Sequence, residues 1–184
     1  MQNKIGDKIT WSKKDKETVV QISGSMEGWM MQALLAWLIL WSTLGVYVLY
    51  YLFTKDLTRE ESLFFTVYLV FWGYFEWKTL YAYLFKLKGF ELIQLSADGL
   101  HIKRKVLFME KANHFRLENI KKFEVIDSDN RSFGAVYQKS FWVVGNERIG
   151  FQNMNKKAAF GYQLEDADAK NLAHLMNRAL KKLP

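Results

Sequence analysis

The sequence predicts an α+β membrane protein: a two-helix transmembrane hairpin followed by a seven-stranded antiparallel β-barrel or sandwich that a C-terminal α-helix caps. Three observations carry this prediction. Between Glu27 and Lys55 lie 27 consecutive residues without a charge, and a second apolar stretch follows after a short connector. From Gly89 onward, short runs of strand-type residues alternate with turn residues. Beyond Leu164 an apolar stripe appears at helical spacing. The mean hydropathy of −0.14 over 184 residues hides this segregation, because most of the aromatics lie between Trp29 and Phe85.

The uncharged run reads as a transmembrane helix over residues 29–53. About 20 apolar residues suffice to cross a hydrocarbon core roughly 30 Å thick. Trp29 stands at one end of the run, and Tyr47, Tyr50, Tyr51 and Phe53 crowd the other, the places where amphipathic rings meet headgroups. Residues 54–61 form a connector. Within it Thr58 and Glu61 have the spacing of a capping box, which starts the next helix.

That helix is expected to be a second span over residues 62–85, stopped by Lys86, Lys88 and Gly89. Glu76 and Lys78 interrupt it. Two positions apart, they point to different sides and do not pair within the helix. Glu76 is therefore a candidate intramembrane polar contact or proton relay. The competing reading puts both near the membrane surface, with Lys78 snorkelling to the headgroups, and their late position favours it.

The net charge is +7. Segment 1–28 carries one more basic than acidic residue, the connector one more acidic than basic, and residues 86–184 an excess equal to the whole net charge. Lys13, Lys14 and Lys16 before the first helix, with Lys86 and Lys88 after the second, place both termini in the cytoplasm and the connector outside. The apolar run is too long for the core of a cleaved signal peptide, and no small-residue cleavage site follows it.

The remaining chain reads as one cytoplasmic domain, 89–184. Glu91–Leu95 and Leu100–Val106 flank Asp98-Gly99, the strongest short hairpin signal. Further strands are expected at Asn113–Leu117, Ile120–Ile126, Lys139–Val144, Arg148–Gln152 and Ala158–Tyr162. Seven short strands suggest a small barrel or sandwich. Ala169, Leu172, Ala173, Met176, Ala179, Leu180 and Leu183 form the stripe of a final helix that packs on it. Acidic residues in its first turn and basic ones in its last suit the macrodipole, and their confinement to the ends argues against a membrane-surface helix. In segment 1–28, Ile5–Trp11 and Glu17–Ile22 read either as a β-hairpin adding to an edge of the barrel or as a solvated tail.

This order of elements resembles the bacterial PH-like domain membrane proteins, a barrel carried on a two-helix anchor. The matching residues are Gly89-x-Glu91-x-Ile93, Asp98-Gly99-Leu100-x-Ile102, Phe115-x-Leu117-x-x-Ile120-x-x-Phe123, Gly150-Phe151, Phe160-Gly161 and Ala169-x-x-Leu172. The resemblance covers residues 29–184. It implies seven strands in two near-orthogonal sheets, a capping C-terminal helix, residence in the bacterial inner membrane and no enzymatic activity.

The chemistry-bearing patterns point the same way. Without Cys there is no thiol nucleophile, thiolate metal site or disulfide framework. Nucleophile-elbow, zincin, P-loop and dinucleotide signatures are missing, and no catalytic residue, metal ligand or cofactor is expected. His101, His114 and His174 share no spacing. Asp127-Ser-Asp129-Asn-Arg131 begins like a calcium loop but lacks its later ligand and Gly, and reads as a polar turn. Asn130-Arg-Ser132 is a glycosylation sequon without meaning in the cytoplasm.

An electrostatic candidate remains. Lys86, Lys88, Lys103 and Lys105 are candidate contacts to anionic lipid, with His101, Lys103 and Lys105 on one face of their strand and Leu100, Ile102 and Val106 on the other. The competing reading makes this a solvated edge strand protected by its lysines. Phosphoinositide-binding relatives of the fold have a Lys before the first turn and a longer basic loop. Here Leu92-Ile-Gln-Leu95 and the short acidic turn replace them, so specific phosphoinositide binding is not expected. Nucleic acid is excluded for lack of aromatic interleaving.

Three functions follow in order. The first is a non-enzymatic scaffold or adaptor at the cytoplasmic face of the inner membrane, whose partners are the bilayer and a membrane protein or a second copy of itself. The second is an anionic-lipid sensor. The third is an accessory subunit of a membrane enzyme or transporter that uses Glu76.

Overall fold

Two long antiparallel helices form where the sequence is most apolar. The computed structural model describes residues 2–14, 17–126, 144–154 and 156–183. Helix α1 spans Gly28–Thr54 and helix α2 spans Arg59–Lys88. The capping box forms as expected: Thr58 Oγ1 accepts from the Glu61 amide at 3.3 Å, and the Thr58 amide donates to Glu61 Oε2 at 2.9 Å. These bonds hold the Glu61 carboxyl below the usual carboxylate range. The helices meet at Gly45, where an added Cβ would lie 1.9 Å from the Trp72 ring, and Trp72 Nε1 donates to the Trp41 carbonyl at 3.0 Å. A small residue thus lets a large ring close on the neighbouring helix.

The strands are β1 (Gln2–Ile5), β2 (Ile9–Lys14), β3 (Glu17–Ser23), β4 (Phe90–Ser96), β5 (Gly99–Val106), β6 (Met109–Phe115), β7 (Phe123–Val125), β8 (Glu147–Asn153) and β9 (Lys156–Tyr162). A 3-10 turn, Leu117–Asn119, precedes β7. Every pairing is antiparallel. One sheet runs β1 to β6 in sequence order, the other β7-β8-β9. Alternate residues of the strands close the core: Val20 and Ile22, Ile93 and Leu95, Leu100 and Ile102 from the large sheet face Phe123, Ile149, Phe151 and Phe160 from the small one. Helix α3, Asp166–Leu180, seals it with Ala169, Leu172 and Met176. Asn177 pins this helix to β7, donating to the Phe123 carbonyl at 2.8 Å and accepting from its amide at 2.9 Å.

Three expectations are corrected. The N-terminal segment supplies three strands: Gly6, with φ of +56°, turns the chain inside the expected strand Ile5–Trp11. β3 pairs with β4 in the register Ser23↔Phe90, so β1, β2 and β3 belong to the same sheet as the strands after Gly89. The expected two-helix transmembrane hairpin with a PH-like seven-stranded barrel is therefore replaced by three helices and sheets of six and three strands among the described residues. Finally, of the described helices α1 alone is long and apolar enough to cross a membrane. Helix α2 is long enough but carries Glu76 and Lys78. Its charge-free stretch, residues 62–75, measures about 21 Å at 1.5 Å per residue, short of a hydrocarbon core. The expected strand Lys139–Val144 and the polar turn at Asp127–Arg131 lie, apart from Val144, outside the described residues.

The α1–α2 pair is thus an insertion between neighbouring strands. The Gly24 amide donates to the Gly89 carbonyl at 3.0 Å, and the Gly89 amide to the Phe85 carbonyl at 2.6 Å. A Cβ on either glycine would stand 2.5 Å from backbone or ring atoms of Phe85, which is fully buried between them. Gly24→Ala is expected to destabilise the fold by about 1–3 kcal/mol, the usual cost of overpacking. Gly28→Ala, with open space around its Cβ, is expected to leave the thermal midpoint in detergent unchanged. Equal midpoints for the two variants would show that the closure carries no strain-sensitive packing.

Candidate functional site

The strongest concentration of buried charge lies where α2 meets the sheets. The two-residue turn Ala97–Asp98 sets the β4–β5 register and so places Glu91 directly opposite Arg104. By alternation both point inward with Ile93 and Ile102. Arg104 Nη2 donates to Glu91 Oε1 and to Glu147 Oε1, each at 3.1 Å. Glu91 Oε2 accepts from the Gly161 amide at 2.8 Å and the Tyr162 amide at 3.3 Å. Gly161 sits at φ of +84°, a left-handed conformation that lets successive amides converge on one anion. Glu91, 1% exposed, thereby joins β4 of the large sheet to β9 of the small one.

Aromatic packing surrounds this network. Phe85 meets Tyr162 edge-on at 4.8 Å between centroids, and the Arg104 guanidinium lies 5.9 Å from the Phe85 ring. Burial works against the Arg104 charge, but Glu91 and Glu147 outweigh it and raise its pKa. Burial pushes the Tyr162 hydroxyl up as well. A cavity of about 210 Å³ opens beside the network, with Lys111 and Asn113 of β6 on its wall. A larger groove of about 640 Å³ runs over β7–β9, floored by Gly150 and Ala158 and edged by Lys121, Lys122 and Lys157. Among the described residues no three His, Asp or Glu side chains group as metal ligands.

The sequence-predicted site residues separate. Lys88 and Lys105 are exposed near the helix-bearing end of the sheet, and Lys103 is half-exposed, 3.6 Å from Glu110. Lys86 is 2% exposed and is not available to a headgroup. Burial, then the neighbouring charge of Lys8, pushes its pKa down to about 8. β5 is an interior strand between β4 and β6, so the edge-protection reading of its lysines does not apply. Glu76 Oε1 accepts from Ser42 Oγ of α1 at 2.6 Å. His101 and His114 meet across β5–β6 with tilted rings, centroids 4.3 Å apart, a pairing that their sequence spacing conceals.

Glu91, Arg104 and Glu147 were not singled out from the sequence. A signal for two of them existed: alternation puts Glu91 with Ile93 and Leu95, and Arg104 with Ile102 and Val106, on the apolar faces of one tight hairpin. Comparison with family models, characterised proteins and solved structures finds no match for this chain.

Two outcomes follow from this geometry. Glu91→Ala leaves Arg104 and two amides without their acceptor and is expected to cost about 3–5 kcal/mol, with Glu91→Gln costing less; equal thermal midpoints for wild type and Glu91→Ala would refute the structural role. Lys86 has a folded-state pKa of about 8, below its ordinary 10.5, so between these values the unfolded chain binds more protons. Stability is expected to rise with pH across that window. Lys86→Met should flatten the rise, read as thermal midpoint against pH in detergent.

Proposed function

We propose that this chain is a non-enzymatic membrane-embedded scaffold at the cytoplasmic face of a bacterial inner membrane. In this reading α1 lies in the bilayer with α2 packed along it, and the sheets with α3 dock a membrane protein or a second copy of the chain. The observation that carries it is the helical insertion itself. α1 leaves from one strand and α2 returns to its neighbour, while Trp29, Ile39, Leu40, Val46, Tyr47, Tyr50 and Phe53 of α1 all face outward. Such a contiguous exposed apolar surface belongs against lipid or another protein.

The buried ionisable groups support a non-catalytic reading. Glu91, Arg104 and Glu147 bond one another, and Arg148 bonds the Leu164 carbonyl and Asp166. These are contacts that tie β4, β5, β8 and the start of α3 together. The resemblance to PH-like domain membrane proteins points in the same direction. Lys8, whose carbonyl accepts from the Ser23 amide, and Lys88 stand at the helix-bearing end of the sheet, basic residues that favour a cytoplasmic position for that side. A domain held at the bilayer meets membrane-bound partners at raised effective concentration.

Lipid sensing by Lys88, Lys103 and Lys105 is the second reading, favoured by their position on the outer face of the sheet near the helices. The native chain has no Cys, so single probes are free of background. Cys at Leu44, in the middle of α1, is expected to be shielded from an impermeant maleimide in intact membranes, and Cys at Ala97, in the far turn of the sheet, to react. Ready reaction at both positions would overturn the placement of α1 in the bilayer. Extracted in mild detergent from its own membrane, the chain is expected in an assembly larger than a monomer; a uniform monomer would overturn the docking role.

A further inference from the structure

The β5–β6 turn ends in side chains that a water-facing turn has no use for. Val106 pairs with Met109, leaving Leu107 and Phe108 as the two turn residues. Phe108 is 101% exposed, and Leu107 and Met109 are also exposed. Leu107 has φ of 49°, a left-handed conformation that Gly, Asn or Asp adopts at lower cost. The first turn position thus keeps a large apolar side chain against the conformational preference.

Its location gives the reason. β5 runs toward the end of the sheet where α2 arrives: Lys105 pairs with Phe90, next to Gly89. Val106 is fully buried in a cluster with Phe85 and Tyr162, against which Tyr81 and Leu84 of α2 pack. The turn that follows Val106 therefore stands beside the last turns of α2, at the level where that helix joins the apolar pair. Leu87 of α2 is exposed near the same end, with Lys88 and Lys105 close in register and Glu110 paired opposite Lys105. An aromatic-aliphatic tip beside lysines suits the headgroup–acyl boundary, where rings and chain methylenes bury while ammonium groups stay with phosphate.

We propose that Leu107 and Phe108 form a wedge inserted into the membrane interface, a second lipid contact that fixes the tilt of the sheet against the bilayer. This rests on the membrane reading of α1. The occupant is the lipid surface: the tip follows directly on Val106, packed at the helix-bearing end, and Phe108 stands fully exposed beyond it.

The test uses the full chain in nanodiscs containing phosphatidylglycerol and phosphatidylcholine, with single Cys residues at Met109, Ala97 and Leu44 carrying an environment-sensitive fluorophore. Position 44, in α1, is expected to be quenched by lipids spin-labelled deep in the acyl chain, and position 97 by none. Position 109 is expected to be quenched by lipids spin-labelled near the headgroup, with blue-shifted emission, and Phe108→Asp should abolish both effects. If position 44 is quenched while position 109 behaves like position 97, the wedge is refuted and the membrane reading stands. Blue-shifted emission at 109 without lipid quenching also refutes it, because a protein would then cover the tip. If position 44 is not quenched, the membrane reading falls and the wedge with it.

Discussion

The fold depends on one closure. β3 and β4 are adjacent strands, yet all of α1 and α2 lies between them. Bringing the ends of so long a connection together costs entropy that grows with the logarithm of its length. Here the connection is not a flexible loop. Two antiparallel helices, locked at Gly45–Trp72 and turned by the Thr58–Glu61 box, return the chain close to where it left. The Gly24–Gly89 hydrogen bond then completes the Ser23↔Phe90 pairing, and Phe85 fills the space that two missing side chains leave. The large sheet assembles across the helical pair because its ends are already near each other.

Glu91 does for the two sheets what this closure does for the helices. β4 and β9 share no ladder, so the carboxylate takes amides that a neighbouring strand's carbonyls would otherwise accept. A buried anion is costly in isolation; three donors and the Arg104 charge offset that cost and fix the relative placement of the sheets. Phe85 touches both Tyr162 and Arg104, so the end of α2 reads directly onto this joint.

Local signals in the sequence carried local structure well. The uncharged run became α1, the capping box started α2 at Arg59, the β4–β5 hairpin formed with its turn at Ala97-Asp98, one residue before the Asp-Gly pair, and the apolar stripe became the buried face of α3. What failed was relational. Nothing in the period of Glu17–Ile22 says that its neighbour is Phe90–Ser96, because that pairing spans the whole helical insertion. For residues 1–28 the sequence left two readings open, a β-hairpin on an edge of the barrel and a solvated tail, and the β3–β4 pairing decides for the first while adding β1. The Glu91–Arg104 pair escaped for the opposite reason: alternation was read for its apolar members, and the charged residues of equal parity were set aside. In α2, the late charges Glu76 and Lys78 outweighed the aromatic richness that suggested a span.

The location of those charges bears on how the proposed scaffold would sit. Glu76 turns toward Ser42 of α1, and Lys78 lies 5.5 Å from the centre of the Tyr74 ring, so one charge is taken up by the neighbouring helix and the other by an aromatic face. The uncharged part of α2 lies in the half nearer Thr58 and the charged part in the half nearer the sheets. With α1 in the bilayer, Glu76 and Lys78 would stand toward the headgroups on the sheet side, where their hydration costs least. Gly89 alone separates α2 from β4, and four residues separate β3 from α1, so the sheets have little length of chain on which to swing. A tethered domain gains concentration at the membrane but no orientation; this one would gain both, and a partner would meet the sheets at the same height above the bilayer each time.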